Sequence, residues 1–131
     1  MRFGTEFAGP FVDLVGKAGL LESFAAIRRC DLFLSSDTGL SKAAMAMRVP
    51  TVSVWGPTSR MDNGALWDRE LHTEVSLGLA CAPCVHMALR CECTGIINFS
   101  NCGHHDCLER LIPDLVISAI KERHGGRLAH A

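Results

Sequence analysis

The sequence predicts an α/β domain built on a parallel sheet, and three observations carry that reading. Two short apolar runs, "DLFLS" and "TVSVW", flank an alanine-rich stretch with helical spacing. A further apolar run, "FVDLV", precedes another amphipathic stretch nearer the start. The connections are short, which is the rhythm of strands joined by crossover helices.

Taken in order, Phe11 to Val15 reads as a short strand closed by Gly16. From Leu20 to Arg29, residues Leu20, Leu21, Phe24, Ala25 and Ile27 cover one face of a helix. "DLFLS" is too apolar for a half-exposed strand and is expected to be buried. Thr38 to Arg48 repeats with helical period, with Ala43, Ala44 and Met47 facing the sheet, until Pro50 ends it. "TVSVW" is the next strand. Beyond Gly56-Pro57 the pattern dissolves: "TSRMDNGALWDRE" reads as loop with one helical turn, and "TEVSLGL" as a further strand. Pro113 opens a last helix, "PDLVISAIKER", at the first-turn position that proline tolerates, and "GGRLAHA" reads as a frayed tail.

The totals exclude several classes. With 131 residues the chain has room for one modest domain, read here as residues 1–131 with a cysteine-rich insertion over about 81–107. A net charge of -1 gives no electrostatic case for nucleic acid or for an anionic membrane. No apolar run has the length of a transmembrane helix. The first residues, "MRFGTEFAGPFVDLVG", lack the apolar segment of a signal peptide, so a cytoplasmic location is expected.

The chemistry concentrates at Asp37-Thr38-Gly39, between a strand and a helix. In open parallel sheets ligands bind at the carboxyl ends of strands, where helix N-termini offer unpaired N–H groups to anions. Gly39 lets the backbone approach a phosphate, Thr38 adds a hydroxyl, and Lys42 stands one helical turn further on. Asp37 would repel phosphate, which leaves it capping the helix or accepting from sugar hydroxyls. Asp-Thr-Gly also occurs in retroviral-type aspartic proteases, but a helical pattern follows it here where those proteases need strands.

The run "DLVGKAGLLESFAAIRRCDLFLSSDTGLSKAAMAMRVPTVSVWGPTS" resembles the nucleotide-sugar-binding half of glycosyltransferase family 9, the heptosyltransferase-like enzymes. There a Gly-Lys segment, a leucine-rich helix, a strand ending in Asp-Thr-Gly, an alanine-rich helix and a Gly-Pro-Thr loop follow in this order. Cys81-Ala-Pro-Cys84 and the segment from Cys107 to Ile120 also look like the family's carboxyl end. The resemblance implies a Rossmann-like, three-layer partial domain of a two-domain GT-B glycosyltransferase, with its amino-terminal domain missing. It further implies inverting transfer of a sugar from a nucleotide diphosphate donor to a glycan such as lipopolysaccharide core, at the inner face of the membrane.

Carried over residue by residue, Asp37, Thr38 and Gly39 would contact the donor's diphosphate and sugar. Gly16, Lys17 and Ala18 would line its base, and Gly56, Pro57 and Thr58 would shape the neighbouring loop. The family usually has histidine where this chain has Lys42, which keeps positive charge and loses a neutral imidazole. The general base is expected from the other domain, so no catalytic residue is assigned. Transfer itself needs no cofactor. An alternative from another class is a non-catalytic module that binds nucleotide or zinc and acts through a partner.

Six of the seven cysteines, Cys81, Cys84, Cys91, Cys93, Cys102 and Cys107, fall in one stretch with His104 and His105. A tetrahedral zinc site draws on such paired thiolates, although the spacing matches no standard finger. The other reading is buried small hydrophobes, some disulfide-bonded. His72, His86, His124 and His130 are isolated and read as surface or tail residues; Trp55 reads as core, and Met45 and Met47 as packing residues.

Overall fold

The computed structural model describes residues 9–84 and 102–128. Among them three strands form one parallel sheet: β1 (Phe33–Ser36), β2 (Thr51–Val54) and β3 (His72–Val75), in the order β1-β2-β3. Phe33 is in register with Thr51, and Thr51 with His72. All carboxyl ends therefore emerge together, at Asp37, Trp55 and Ser76. Helices α1 (Leu20–Ile27) and α2 (Gly39–Ala46) precede and follow β1. A short α3 (Arg60–Asn63) and a 3-10 turn (Arg69–Leu71) lie between β2 and β3, with α4 (Asp106–Glu109) and α5 (Pro113–Leu128) at the end.

The core is β2 with α2 laid against it. Val52, Thr51 and Ser53 are fully buried, because β2 has a strand on either side. Ala44 has no exposed surface and packs with Ile27 and Val49, joined by the half-buried Phe33, Leu40 and Met47. The small Ala44 side chain lets α2 approach the sheet closely. Met45 is buried as expected of a packing residue.

The structure corrects several sequence expectations. "FVDLV" forms no strand: Phe11 to Leu14 has no regular structure, residues 15–17 turn, and Val12 and Val15 stand exposed. No described strand pairs with it, so it gains no ladder, and water serves its exposed backbone. β1 is not a buried strand, since its residues alternate half-buried and exposed and Leu34 faces outward. It lies at an edge of the described sheet, where one face lacks a covering layer. Leu20 and Leu21 of α1 are also exposed, so its predicted apolar face is covered only toward Ile27. The helix expected to end near Arg123 continues as α5 through Gly125 and Gly126 to Leu128, leaving little of the predicted tail. His72 and His124 are buried, not superficial, because α5 packs on β3 and closes over them. His86 and His130 lie outside the described residues.

Candidate functional site at the carboxyl edge of the sheet

The turn after β1 is built by local hydrogen bonds. The Asp37 amide donates to the Val54 carbonyl at 3.2 Å, extending the β1–β2 ladder by one bond. Thr38 then caps α2 in an extended conformation. Its amide donates to Ser41 Oγ at 3.2 Å, and that hydroxyl donates back to the Thr38 carbonyl at 2.7 Å. Thr38 Oγ1 and Ser35 Oγ share a further hydrogen bond at 3.2 Å. Ser41 has no exposed surface, so this cap is held from inside. Thr38 and Gly39 themselves face solvent, and a side chain added at Gly39 would meet no protein atom within 4 Å. The mouth of α2 is therefore open, with first-turn amides that have no acceptor within the helix.

Lys42 reaches back across this mouth. Its Nζ lies 2.5 Å from Asp37 Oδ1, donates to the Asn63 carbonyl, and stands 4.4 Å from the centre of the Trp55 ring. Trp55 is buried as expected, with Nε1 donating to Ser53 Oγ at 2.7 Å, and it also presents a ring face to a cation. One ammonium thus offsets the Asp37 carboxylate that would otherwise repel an anion at the helix N-terminus. The sequence reading brought Asp37, Thr38, Gly39 and Lys42 to one place. It missed Trp55 and Asn63 as the groups that hold Lys42. The only sequence signal was a tryptophan at the carboxyl end of the adjacent strand.

The loop after β2 forms a second part of the same edge. A cavity of about 360 Å³ opens there, lined among others by Trp55, Thr58, Ser59 and the segment Ser76 to Leu79. Thr58 Oγ1 is buried without a hydrogen-bond partner and lies in its wall. Gly56 also lines this cavity, and its Cα side meets protein: a Cβ there would stand 2.6 Å from Leu108 Cδ2 and 3.4 Å from Cys107 Sγ. The Pro57 carbonyl accepts from the Cys84 amide at 2.8 Å. Of the three loop residues, Gly56 and Thr58 line the cavity, while Gly56 and Pro57 also seat the cysteine segments. The Gly16-Lys17-Ala18 turn keeps to itself. Lys17 Nζ pairs with Asp13 at 2.9 Å, and the amides of Lys17 and Ala18 donate to the Leu14 carbonyl.

No disulfide joins the described cysteines; Cys84 and Cys107 meet the Gly56-Pro57 loop, with Cys81 and Cys102 as their neighbours. Burial pushes the thiols of Cys84 and Cys107 up, and neighbouring thiols add to that, including Cys81 and Cys102. Among the described residues no three His, Cys, Asp or Glu side chains stand in position to hold a metal ion. Cys91 and Cys93, also expected as ligands, lie outside the described residues. No helix among those residues is long and apolar enough to cross a membrane.

Comparison with known proteins places the chain in a family. The family model described as glycosyltransferase family 9 (heptosyltransferase) matches residues 2–94. The chain is 30% identical over 93 residues to lipooligosaccharide heptosyltransferase 2 of Campylobacter jejuni serotype O:6, covering 71% of this chain and 26% of the relative. The serotype O:2 counterpart is 32% identical over 92 residues, covering 70% and 25%. Lipopolysaccharide heptosyltransferase 1 of Pseudomonas aeruginosa is 37% identical over 68 residues, covering 52% and 18%. No solved structure matches. The chain spans about a quarter of the length of the first relatives it matches. The family match stops before Cys102, so the resemblance expected from Cys107 to Ile120 falls outside it.

Proposed function

This chain belongs to glycosyltransferase family 9, the heptosyltransferase family, and from that premise we propose that it forms the donor-binding wall of a sugar transferase. The donor is a nucleotide diphosphate sugar, and the acceptor a glycan of the lipopolysaccharide or lipooligosaccharide core, the class named for its relatives. The observation that carries this reading is Lys42, held beside an open helix mouth by Asp37, Asn63 and Trp55. The diphosphate would accept from the first-turn amides of α2 and share the Lys42 ammonium with Asp37. The same groups would stabilise negative charge on the departing diphosphate, where charge grows during transfer. The loop carrying Gly56 and Thr58, which lines the neighbouring cavity, would stand beside the sugar. No general base is assigned. A single open wall cannot orient both substrates, so steady transfer requires a second domain across the cleft.

Calorimetry with a nucleoside diphosphate tests the assignment. Lys42→Ala should weaken binding by about 1.5–3 kcal/mol, the range for a hydrogen bond to a charged group. Equal affinities would remove Lys42 from the site, and no binding by the unmutated chain would end the proposal.

A structural zinc is a second proposal, favoured by the convergence of Cys81, Cys84, Cys102 and Cys107 beside Gly56-Pro57. The metal would have to draw these thiols closer than they stand. Elemental analysis after purification under reducing conditions decides it: about one zinc per chain supports the reading, and folded metal-free protein refutes it.

A further inference from the structure

The outer edge of β3 carries a second cavity that shares none of the residues Asp37 to Lys42. It encloses about 450 Å³ and is lined by Arg60, Arg69 and Arg123, with His72, Thr73 and Glu74 of the strand. Three elements supply the guanidinium groups: α3, the 3-10 turn and α5. None of the three arginines forms an ion pair with a carboxylate among the described residues, although Arg48 and Arg110 do. Arg69 Nε donates to the Ala65 carbonyl at 3.0 Å, a bond that does not use its terminal nitrogens. Glu74 is the one carboxylate in the wall, and its Oε1 accepts from the Ala65 amide at 3.0 Å.

Behind these groups stands an unexplained residue. His72 is only 8% exposed, yet neither ring nitrogen has a hydrogen-bond partner. Leaving a buried polar group unpaired carries a cost that proteins seldom bear without a use. Three guanidiniums without a carboxylate partner among the described residues, converging on one cavity, describe an anion site, and the buried His72 ring stands behind them.

We propose that the β3-edge cavity binds a phosphate monoester carried on a sugar. Guanidinium forks match the oxygens of phosphate, and their convergence from three elements suits a group with several acceptors. The volume far exceeds that of a bare phosphate and falls within the range of small-molecule sites, which leaves room for a sugar ring. His72 backs the wall with both ring nitrogens buried, so the guanidiniums make the direct contacts to the phosphate oxygens. Glu74 faces the same space and accepts from sugar hydroxyls, while disfavouring more highly charged diphosphates.

Calorimetry on the full chain with glucose 6-phosphate tests this, with inorganic phosphate as the minimal probe. Arg123→Gln should weaken binding about fivefold, and Arg69→Gln with Arg123→Gln by at least roughly twentyfold, as lost charged hydrogen bonds imply. A circular dichroism melt of each variant separates lost binding from lost folding, and Arg123→Lys should recover part of the affinity. Nucleoside diphosphate affinity should stay unchanged in Arg123→Gln, which distinguishes this cavity from the α2 mouth. Phosphatidylcholine vesicles carrying phosphatidic acid present the same monoester on a lipid. Retention on vesicles without binding of glucose 6-phosphate would overturn the sugar assignment. Absence of glucose 6-phosphate binding, or affinities unmoved in the folded variants, would overturn the site.

Discussion

Two cationic regions of this molecule stand in opposite conditions. At the mouth of α2 the cation is already engaged, with Lys42 held by Asp37, the Asn63 carbonyl and the Trp55 ring. At the β3 edge, Arg60, Arg69 and Arg123 surround a cavity without carboxylate partners among the described residues. The first arrangement fixes a charge in place before any ligand arrives, which reduces the ordering that binding must bring about. The second holds Arg69 through the Ala65 carbonyl but gives none of its guanidiniums a carboxylate partner among the described residues. α3 joins the two, since Asn63 at its end holds Lys42 and Arg60 at its start lines the cavity.

The strongest test of that connection is Gly64→Ala, directly after α3. A Cβ at Gly64 would lie 2.3 Å from both the Arg60 carbonyl oxygen and Glu74 Oε1. The backbone oxygen cannot step aside, so the variant should lose about 3 kcal/mol in urea denaturation, at the upper end for overpacking. It should weaken nucleotide and sugar phosphate binding together; a loss confined to one would show that α3 does not couple the regions.

Ser41→Ala should be milder and one-sided. It removes the hydroxyl that accepts from the Thr38 amide and donates to its carbonyl, at a cost of about 1 kcal/mol for a lost cap. Nucleotide binding should weaken because the Thr38 turn loosens, while the β3-edge cavity keeps its affinity. Equal weakening at both sites would contradict the separation.

The smallest effect expected is a pH dependence from His72. Burial lowers its pKa below the ordinary histidine value of 6.5, against the opposing pull of the Asp68, Glu70 and Glu74 carboxylates. The unfolded chain therefore binds a proton at a higher pH than the folded chain does. Stability should fall as pH drops from about 6.5 toward the folded pKa and then level off. His72→Leu should flatten that decline in denaturation curves across pH 7 to roughly pH 5. A wild-type curve without the decline would mean that His72 is not desolvated. Lys42→Ala should leave the profile unchanged, since the α2 mouth is not the source of the effect.

Much of the first region was legible in the chain and little of the second. β1, α2 and β2 follow from local periodicity, and the Asp37-Thr38-Gly39 turn falls where a strand meets a helix. Residues only a few positions apart meet there, so spacing sufficed to bring Lys42 to the mouth. Arg60, Arg69, His72 and Arg123 are separated along the chain and carry no shared pattern. The packing of α5 on β3 brings Arg123 to the others, and the same packing buries the histidines that read as superficial.

The sequence by itself determined the α/β rhythm, the family and the helix mouth, because those rest on near-neighbour geometry and on motifs with fixed order. The tertiary structure decided which apolar runs pair. "FVDLV" and "TVSVW" look alike as local patterns, but only Thr51 to Val54 gains a strand on either side. It also decided the partners of Lys42. A tryptophan thirteen residues away and a carbonyl twenty-one residues away reach one ammonium because parallel strands bring their carboxyl ends to the same edge.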